Sequence, residues 1–423
     1  VDTATGEKTA LTPRDAKEKI AYGSAQFSKD GKGIYLTTDK ESEFLRLEYL
    51  NLASKETKVL SGSIPWDVTK FDLSHDGKTI AYVSNEDGIG KLHLLDTTTA
   101  REKSVPKLPV GLIEDVRWHR NGRDLGLVLN SARAQADCYS LDVASGKVER
   151  WTRSESAVNT SDFPEAELVH WKSFDGKMIS GFLYSPPAKF KGKRPVLINI
   201  HGGPEGQWHP GFLGRFNYFL NEKGIAVIYP NVRGSTGYGK TFSLLDNGYL
   251  REDTYKDINA LLDWIAARAD LDSERVALEG GSYGGHMVLA VSTFYSDRIR
   301  CSIDVVGISN LVTFLEHTEV YRRDLRRVEY GDERDPKMRE FLERIAPMNN
   351  TEKIRKPMFV IAGKNDPRVP VSESDQIVAA LKKQGTPVWY LMARDEGHGF
   401  KKKQNQDFQF DAEILFLDKF LLN

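Results

Sequence analysis

RVALEGGSYGGHMVLA (275–290) decides the reading of this chain. RVALEG is a short apolar run of strand length, and GGHMVLAVSTF (284–294) continues as a helix. Between them lies Gly280-Gly281-Ser282-Tyr283-Gly284, the G-x-S-x-G pattern. A strand-to-helix turn this sharp leaves no room for side chains beside the serine, hence the glycines. It lifts the Ser282 hydroxyl above a sheet and places it at a helix N-terminus. A phosphate-binding loop is disfavoured, because the G-x-G-x-x-G spacing is missing. Outward from the elbow, strands and helices alternate. PVLINI (195–200), GIAVIYPNVRG (224–234), CSIDVVGI (301–308), PMFVIAG (357–363) and PVWYLMA (387–393) read as buried strands. Segments 212–224, 253–270, 371–385 and 404–422 read as helices. Continuous apolar strands separated by helices predict a mostly parallel, doubly covered sheet, whose site lies at the carboxyl ends of its strands.

Candidate residues are therefore those that follow a strand. A serine hydroxyl needs a base. His398, in DEGHGF (395–400) after PVWYLMA, is flanked by glycines that suit a loop projecting an imidazole. His201 also follows a strand but precedes the serine, and His286 falls inside the helix after the elbow. Asp366, in GKNDPRVP (363–370) after PMFVIAG, is the acid that would orient the imidazole; Asp395 and Asp304 compete for that role. The order Ser282, Asp366, His398 matches that of α/β-hydrolases. An oxyanion needs preorganised donors. The Tyr283 N–H, next after the nucleophile, is one, and the turn HGGP (201–204) offers the other through Gly203.

The N-terminal third is repetitive. FSKDGKGIYL (27–36), LSHDGKTIAY (73–82) and WHRNGRDLGL (118–127) share one pattern, with Asp30, Asp76 and Asn121 spaced by 46 and 45 residues. Asp-Gly and Asn-Gly predict tight hairpins with φ > 0 at both turn positions. A second marker, Asn51, Asp96 and Asp142, holds the same period at 45 and 46. All-β patterning at this period is the length of a four-stranded propeller blade. The first six residues, VDTATG, read like LDVASG (141–146), so the chain is expected to open on the last strand of a further blade. Three blades and a fraction do not close a ring, which predicts a C-terminal portion of a longer protein. The expected division is a partial propeller over 1–157 and a catalytic domain over 158–423, with a polar linker at about 153–167.

HGGP (201–204), NVRGSTGYG (231–239), the 280–284 elbow, NDPRVP (365–370) and EGHGF (396–400) together resemble the prolyl oligopeptidase family of serine peptidases. The HGGP and RGSTGYG forms are most similar to its acylaminoacyl-peptidase and oligopeptidase branch. The resemblance covers about 168–423, and the blade repeats match the propeller that precedes the hydrolase domain in that family. It implies an α/β-hydrolase fold behind a propeller, here incomplete. Carried over, Ser282, Asp366 and His398 would form the triad, with Tyr283 and Gly203 as oxyanion donors. The implied activity is hydrolysis of short peptides through an acyl-enzyme, the propeller excluding folded proteins.

Composition sets the bounds. The 423 residues carry 59 Lys and Arg against 60 Asp and Glu, a net charge of -1 that gives no field to hold a nucleic acid. Hydrophobic residues make up 40%, enough for a large core, but no apolar run approaches a membrane span. Cys138 and Cys301 are too few and too distant for a disulfide framework, and no His/Cys cluster has metal-ligand spacing, so no metal or organic cofactor is expected. The compartment stays open between cytoplasm, periplasm and exterior. Expected partners are a short peptide substrate and the missing propeller part or a second copy of the chain. Trp208 and Tyr238 are candidates for an apolar substrate pocket, Phe212 for either that pocket or the core. The charged insertion 311–345, with Arg322, Arg323, Arg326 and Arg327, reads as solvated helices or as a lid whose arginine binds a substrate carbonyl or carboxylate. Two rivals remain. A carboxylesterase would use the same triad and turn over esters but no aminoacyl anilide. A non-catalytic binding module would leave Ser282 unlabelled by a fluorophosphonate.

Overall fold

The computed structural model describes residues 1–423 apart from 13–18, 63 and 157. The expected boundary residue 157 therefore lies outside the described residues. Three four-stranded antiparallel sheets come first. They are built from Tyr22–Phe27 to Thr57–Val59, Asp67–Leu73 to Glu102–Lys103, and Gly111–Trp118 to Val148–Arg150. Each meanders in sequence order, which is blade topology. The two sequence markers have one physical cause. Asn51, Asp96 and Asp142 each accept hydrogen bonds from the N–H groups two and three residues on, closing the turn into the last strand. Asp2 makes the same pair of bonds to Ala4 and Thr5, both at 2.8 Å.

The hairpin markers correct an expectation. At Gly31, Gly77 and Gly122 φ is +70°, +73° and +67°, but Asp30, Asp76 and Asn121 do not share it. Their side chains accept from the N–H two residues on, at 3.0 Å each, and that bond holds them out of the left-handed region. The turns are accordingly wider than two residues, with Ser28 N bonded to Gly33 O at 2.9 Å and Ser74 N to Thr79 O at 2.8 Å. A two-residue turn with both φ positive does occur, at Asp87 (+53°) and Gly88 (+85°).

The catalytic-side sheet has eight strands: β1 (Glu167–Lys172), β2 (Met178–Tyr184), β3 (Arg194–Ile200), β4 (Ala226–Asn231), β5 (Leu271–Gly281), β6 (Cys301–Val305), β7 (Met358–Gly363) and β8 (Val388–Ala393). Their order is β1-β2-β4-β3-β5-β6-β7-β8, with β3 to β8 parallel. The helices are α1 (Arg251–Ala267), α2 (Tyr283–Phe294), α3 (Leu311–His317), α4 (Val320–Tyr330), α5 (Pro336–Ile345), α6 (Val371–Gln384) and α7 (Lys403–Leu417). The segment expected as one helix over 404–422 changes winding at Asp418 into a wider last turn. The helix expected over 212–224 is shorter, a 3₁₀ turn at Gly214–Phe216 and one helical turn at Asn217–Asn221. Apolar cores lie on both faces of the sheet: Val196, Ile198, Ile258 and Leu278 on one, Leu197, Phe219, Ala277 and Phe416 on the other.

Blades and sheet meet through polar contacts. Asp87 accepts from the Ser180 hydroxyl at 2.6 Å and lies 2.7 Å from the His170 ring. Asn85 donates to Gln207 at 2.6 Å, and Thr241 donates its hydroxyl and N–H to Glu43, each at 2.8 Å. Among the described residues no helix is long and apolar enough to cross a membrane.

Candidate active site

The chemistry collects where β3, β5, β7 and β8 end. Ser282 has φ +60° and ψ −118°, a strained conformation for a residue with a side chain. The packing around it explains the glycines. A Cβ on Gly280 would lie 2.4 Å from Gly284 O, and one on Gly284 would lie 2.1 Å from Ile200 O. α2 therefore starts against β3 with no intervening side chain, and the Ser282 N–H bonds Val305 O at 2.9 Å. The serine side chain makes no cap hydrogen bond and lines a small cleft of about 80 Å³.

His398 Nδ1 lies 2.7 Å from Asp366 Oδ2. The acceptor-only carboxylate puts the proton on Nδ1 and leaves Nε2 as the basic nitrogen. Asp366 is shielded, its side chain 1% exposed, and its other oxygen accepts the N–H groups of Arg368 and Val369 at 2.8 and 3.0 Å. The two loops are tied together by Asn365, whose N–H bonds Glu396 O at 2.9 Å and whose amide bonds Arg394 O at 3.0 Å. The nearer acid in sequence, Asp395, is turned outward to Lys402 and Asn405. Among the described residues His398 Nε2 has no hydrogen-bond partner, Ser282 included. Such bonds are often long without substrate.

The other histidines are committed elsewhere. His286 bonds the Tyr255 hydroxyl at 2.6 Å and Ile308 O at 2.8 Å, and burial pushes it down to about 4. His201 bonds Gly202 O and the Ser235 hydroxyl, and burial likewise pushes it down to about 4, so it is neutral. Its ring braces the turn that holds Gly203.

Gly203, at φ +133°, shares the cleft with Ser282. Its carbonyl is gripped from α4, receiving Arg326 Nη1 and the Tyr330 hydroxyl, both at 3.1 Å. The Tyr283 N–H opens α2, and its phenol is anchored to Arg251 at 2.7 Å and Asp246 at 3.2 Å. Arg251 is fully buried between the Tyr283 and Tyr330 rings, 5.0 Å from each centroid. Arg251 and Tyr330 were not legible as site residues, because no local motif marks them. Their role comes from the helical insertion folding back over the HGGP turn.

Trp208 and Tyr238 lie outside the Ser282 cleft. Trp208 packs on Tyr229 at 4.7 Å and lines a separate cavity of about 350 Å³ with Phe212 and Asn199. Tyr238 is held between blades and sheet, its hydroxyl bonded to Ser180 at 2.8 Å and Asn231 at 2.9 Å and its ring against Trp66. The Tyr238 hydroxyl is thus committed to partners, whereas Trp208 Nε1 is buried with no hydrogen-bond partner among the described residues. The 311–345 arginines, by contrast, do reach the cleft: Arg322 and Arg326 line it together with Arg368. Another cavity, of about 510 Å³, lies at the opposite ends of the strands beside Arg298 and Lys356 and holds no candidate. Among the described residues no group of three or more His, Cys, Asp or Glu is arranged to hold a metal.

Comparison with known proteins bears on this geometry. Residues 213–423 match the model of the Prolyl oligopeptidase family. The chain is 36% identical over 230 residues to the dipeptidyl peptidase family member 6 of Caenorhabditis elegans, covering 53% of this chain and 31% of that protein. It is 32% identical over 288 residues to the dipeptidyl aminopeptidase BIII of Pseudoxanthomonas mexicana, covering 65% and 41%. The chain thus spans less than half the length of these relatives. Among solved structures, a puromycin hydrolase superposes with a TM-score of 0.82 at 22% identity, covering 94% of this chain and 61% of that one. That likeness extends the shared fold across blades and sheet alike. With the family model spanning the elbow, the Asp366 loop and the His398 loop, the chain belongs to the prolyl oligopeptidase family.

Proposed function

We propose that this chain carries the active site of a serine peptidase acting on short peptides, with Ser282, His398 and Asp366 as its triad. The observation that carries the reading is the strained, uncapped Ser282 at the end of β5, on the rim where the His398–Asp366 pair follows β7 and β8. Ser282 Oγ attacks the scissile carbonyl, and His398 Nε2 takes its proton. Asp366 holds the imidazole in the required tautomer and stabilises the imidazolium. The oxyanion forms against the N–H groups of Tyr283 and Gly203. His398 then protonates the leaving amine, and a water repeats the sequence on the acyl-enzyme. Similarity to dipeptidyl peptidases and to an acylamino-acid-releasing enzyme supports peptides as the substrate class. We take 1–157 as the blade unit and 158–423 as the catalytic unit. That division is supported by the last blade strand ending at Arg150 and β1 starting at Glu167. Turnover of an aminoacyl anilide and a nitrophenyl ester by wild type and Ser282→Ala tests the reading. Anilide turnover lost in the variant is expected; ester turnover with no anilide turnover would refute it in favour of an esterase.

A further inference from the structure

The arginines of α4 divide by what they touch. Arg327 is tied to Asp324 and Glu333. Arg323 donates Nε to Thr318 O at 2.9 Å. Arg326 spans Gly203 O, Glu205 and Glu329. Arg322, one helical turn before Arg326 and on the same face, has no such tie. Among the described residues no carboxylate or carbonyl receives its guanidinium, and its Nε is buried with no hydrogen-bond partner. Yet it lines the cleft that holds Ser282 and Gly203. A buried N–H without an acceptor is costly, and at the edge of a cleft a ligand can supply that acceptor.

The charge balance of the cleft points the same way. Among the described residues no Asp or Glu lines the cleft, and Glu205 and Glu329 are both paired with Arg326. Burial pushes the Glu329 carboxyl up to about 9; the Arg251 and Arg326 charges oppose this, and neighbouring Glu205 adds to it. Arg326 is thus the one cleft arginine already committed to carboxyl groups. Arg368, also lining the cleft, has no carboxylate partner for its guanidinium among the described residues. Arg322 and the more exposed Arg368 thus line the cleft without a carboxylate partner, and a planar guanidinium fork recognises a carboxylate bidentately.

We propose that Arg322 is a specificity-determining residue that receives a carboxylate of the substrate next to the scissile bond, so that the site selects anionic peptides. The proposal rests on the peptidase reading above. The carboxylate has two sources, the free C-terminus of the leaving part or an acidic side chain flanking the bond. The test uses the full chain and matched peptide pairs: free acid against C-terminal amide, and Glu against Gln at each flanking position. Wild type is expected to show a kcat/KM ratio of at least about tenfold in favour of the charged member of one series, and that series identifies the source. Arg322→Gln is expected to bring the ratio within about twofold of unity, and Arg322→Lys to restore part of it. Fluorophosphonate labelling of Ser282 in each variant shows that the site is still assembled. Ratios near unity in wild type for both series, with Ser282 labelled, overturn the proposal and leave the peptidase reading intact. A large ratio that Arg322→Gln does not change also overturns it. Absence of both labelling and peptide cleavage in wild type overturns the two together.

Discussion

Ser282 holds φ +60° with a side chain attached, a conformation that costs about 1–3 kcal/mol and persists only where the surroundings over-determine it. Here they do, through the Val305 carbonyl and two glycine contacts that admit no Cβ. Ser282→Ala keeps that backbone and removes only the proposed nucleophile. Peptide turnover is expected to fall by at least about 10⁴-fold with an unchanged unfolding midpoint, read by initial rates and denaturant titration. Asp304 makes a different residue-scale prediction. Its carboxyl is fully buried and wedged against Gly285 and Gly307, with the Gly307 N–H only partly offsetting the burial. Burial pushes it up to about 7 from an ordinary value of 3.8. The folded state then holds a proton that the unfolded chain has released. This stability is complete below about pH 4 and is lost as pH rises through about 7. Asp304→Asn, which cannot ionise, is expected to flatten the fall in Tm between pH 5 and pH 8. A profile parallel to wild type would show that Asp304 does not titrate in this window.

At the scale of elements, the elbow is a contact between α2 and β3 as much as a turn. A methyl at Gly284 would meet Ile200 O at 2.1 Å and Gly203 lies in the loop that β3 feeds, so parting helix from strand would move the proposed oxyanion donor. Gly284→Ala is expected to destabilise by more than about 3 kcal/mol, measured as the shift in urea midpoint at constant slope. α4 acts on the same loop from above. Tyr330→Phe deletes the hydroxyl bonded to Gly203 O and is expected to lower kcat about fivefold with KM little changed, the size of one net hydrogen bond. These elements also show what a sequence discloses. The elbow, the Asp366 loop and the His398 loop were legible because each is a local motif after an apolar strand, where glycine and chain order carry the signal. The blade turns were legible as turns, but their geometry was not. Asp30 and Asp76 bond the backbone two residues on, and that bond outweighs the φ preference of an Asp-Gly pair. The α4 arginines were legible only as charge. Which of them is paired depends on Glu205, Glu329 and Glu333 arriving from other turns of the chain.

For the whole molecule the question is how three blades stay on an eight-stranded sheet. Their own apolar clusters are smaller than the two main ones of the sheet, and the junction combines apolar contacts of Ile89, Ala132 and Trp66 with polar ones. Asp87 concentrates much of the polar part. A two-residue turn with both φ positive pushes its carboxylate beyond the blade edge, where one oxygen takes the Ser180 hydroxyl and the other meets His170. Ser180 is also bonded to Tyr238, and Tyr238 to Asn231 at the end of β4. The blade tip is thereby linked to the strand that leads into the NVRGSTGYG loop. Removing the Asp87 carboxylate leaves the Ser180 hydroxyl with Tyr238 alone and His170 without its partner, while every blade strand keeps its ladder. Asp87→Ala is therefore expected to weaken the coupling between the two halves by about 2 kcal/mol rather than to unfold either. Calorimetry should then show the blade transition separating to lower temperature from that of the sheet, and limited proteolysis should cut sooner within 153–167. A single transition lowered as one unit would mean that the blades draw their stability from the sheet through Glu43–Thr241 and Asn85–Gln207 instead, and that Asp87 is one contact among equals.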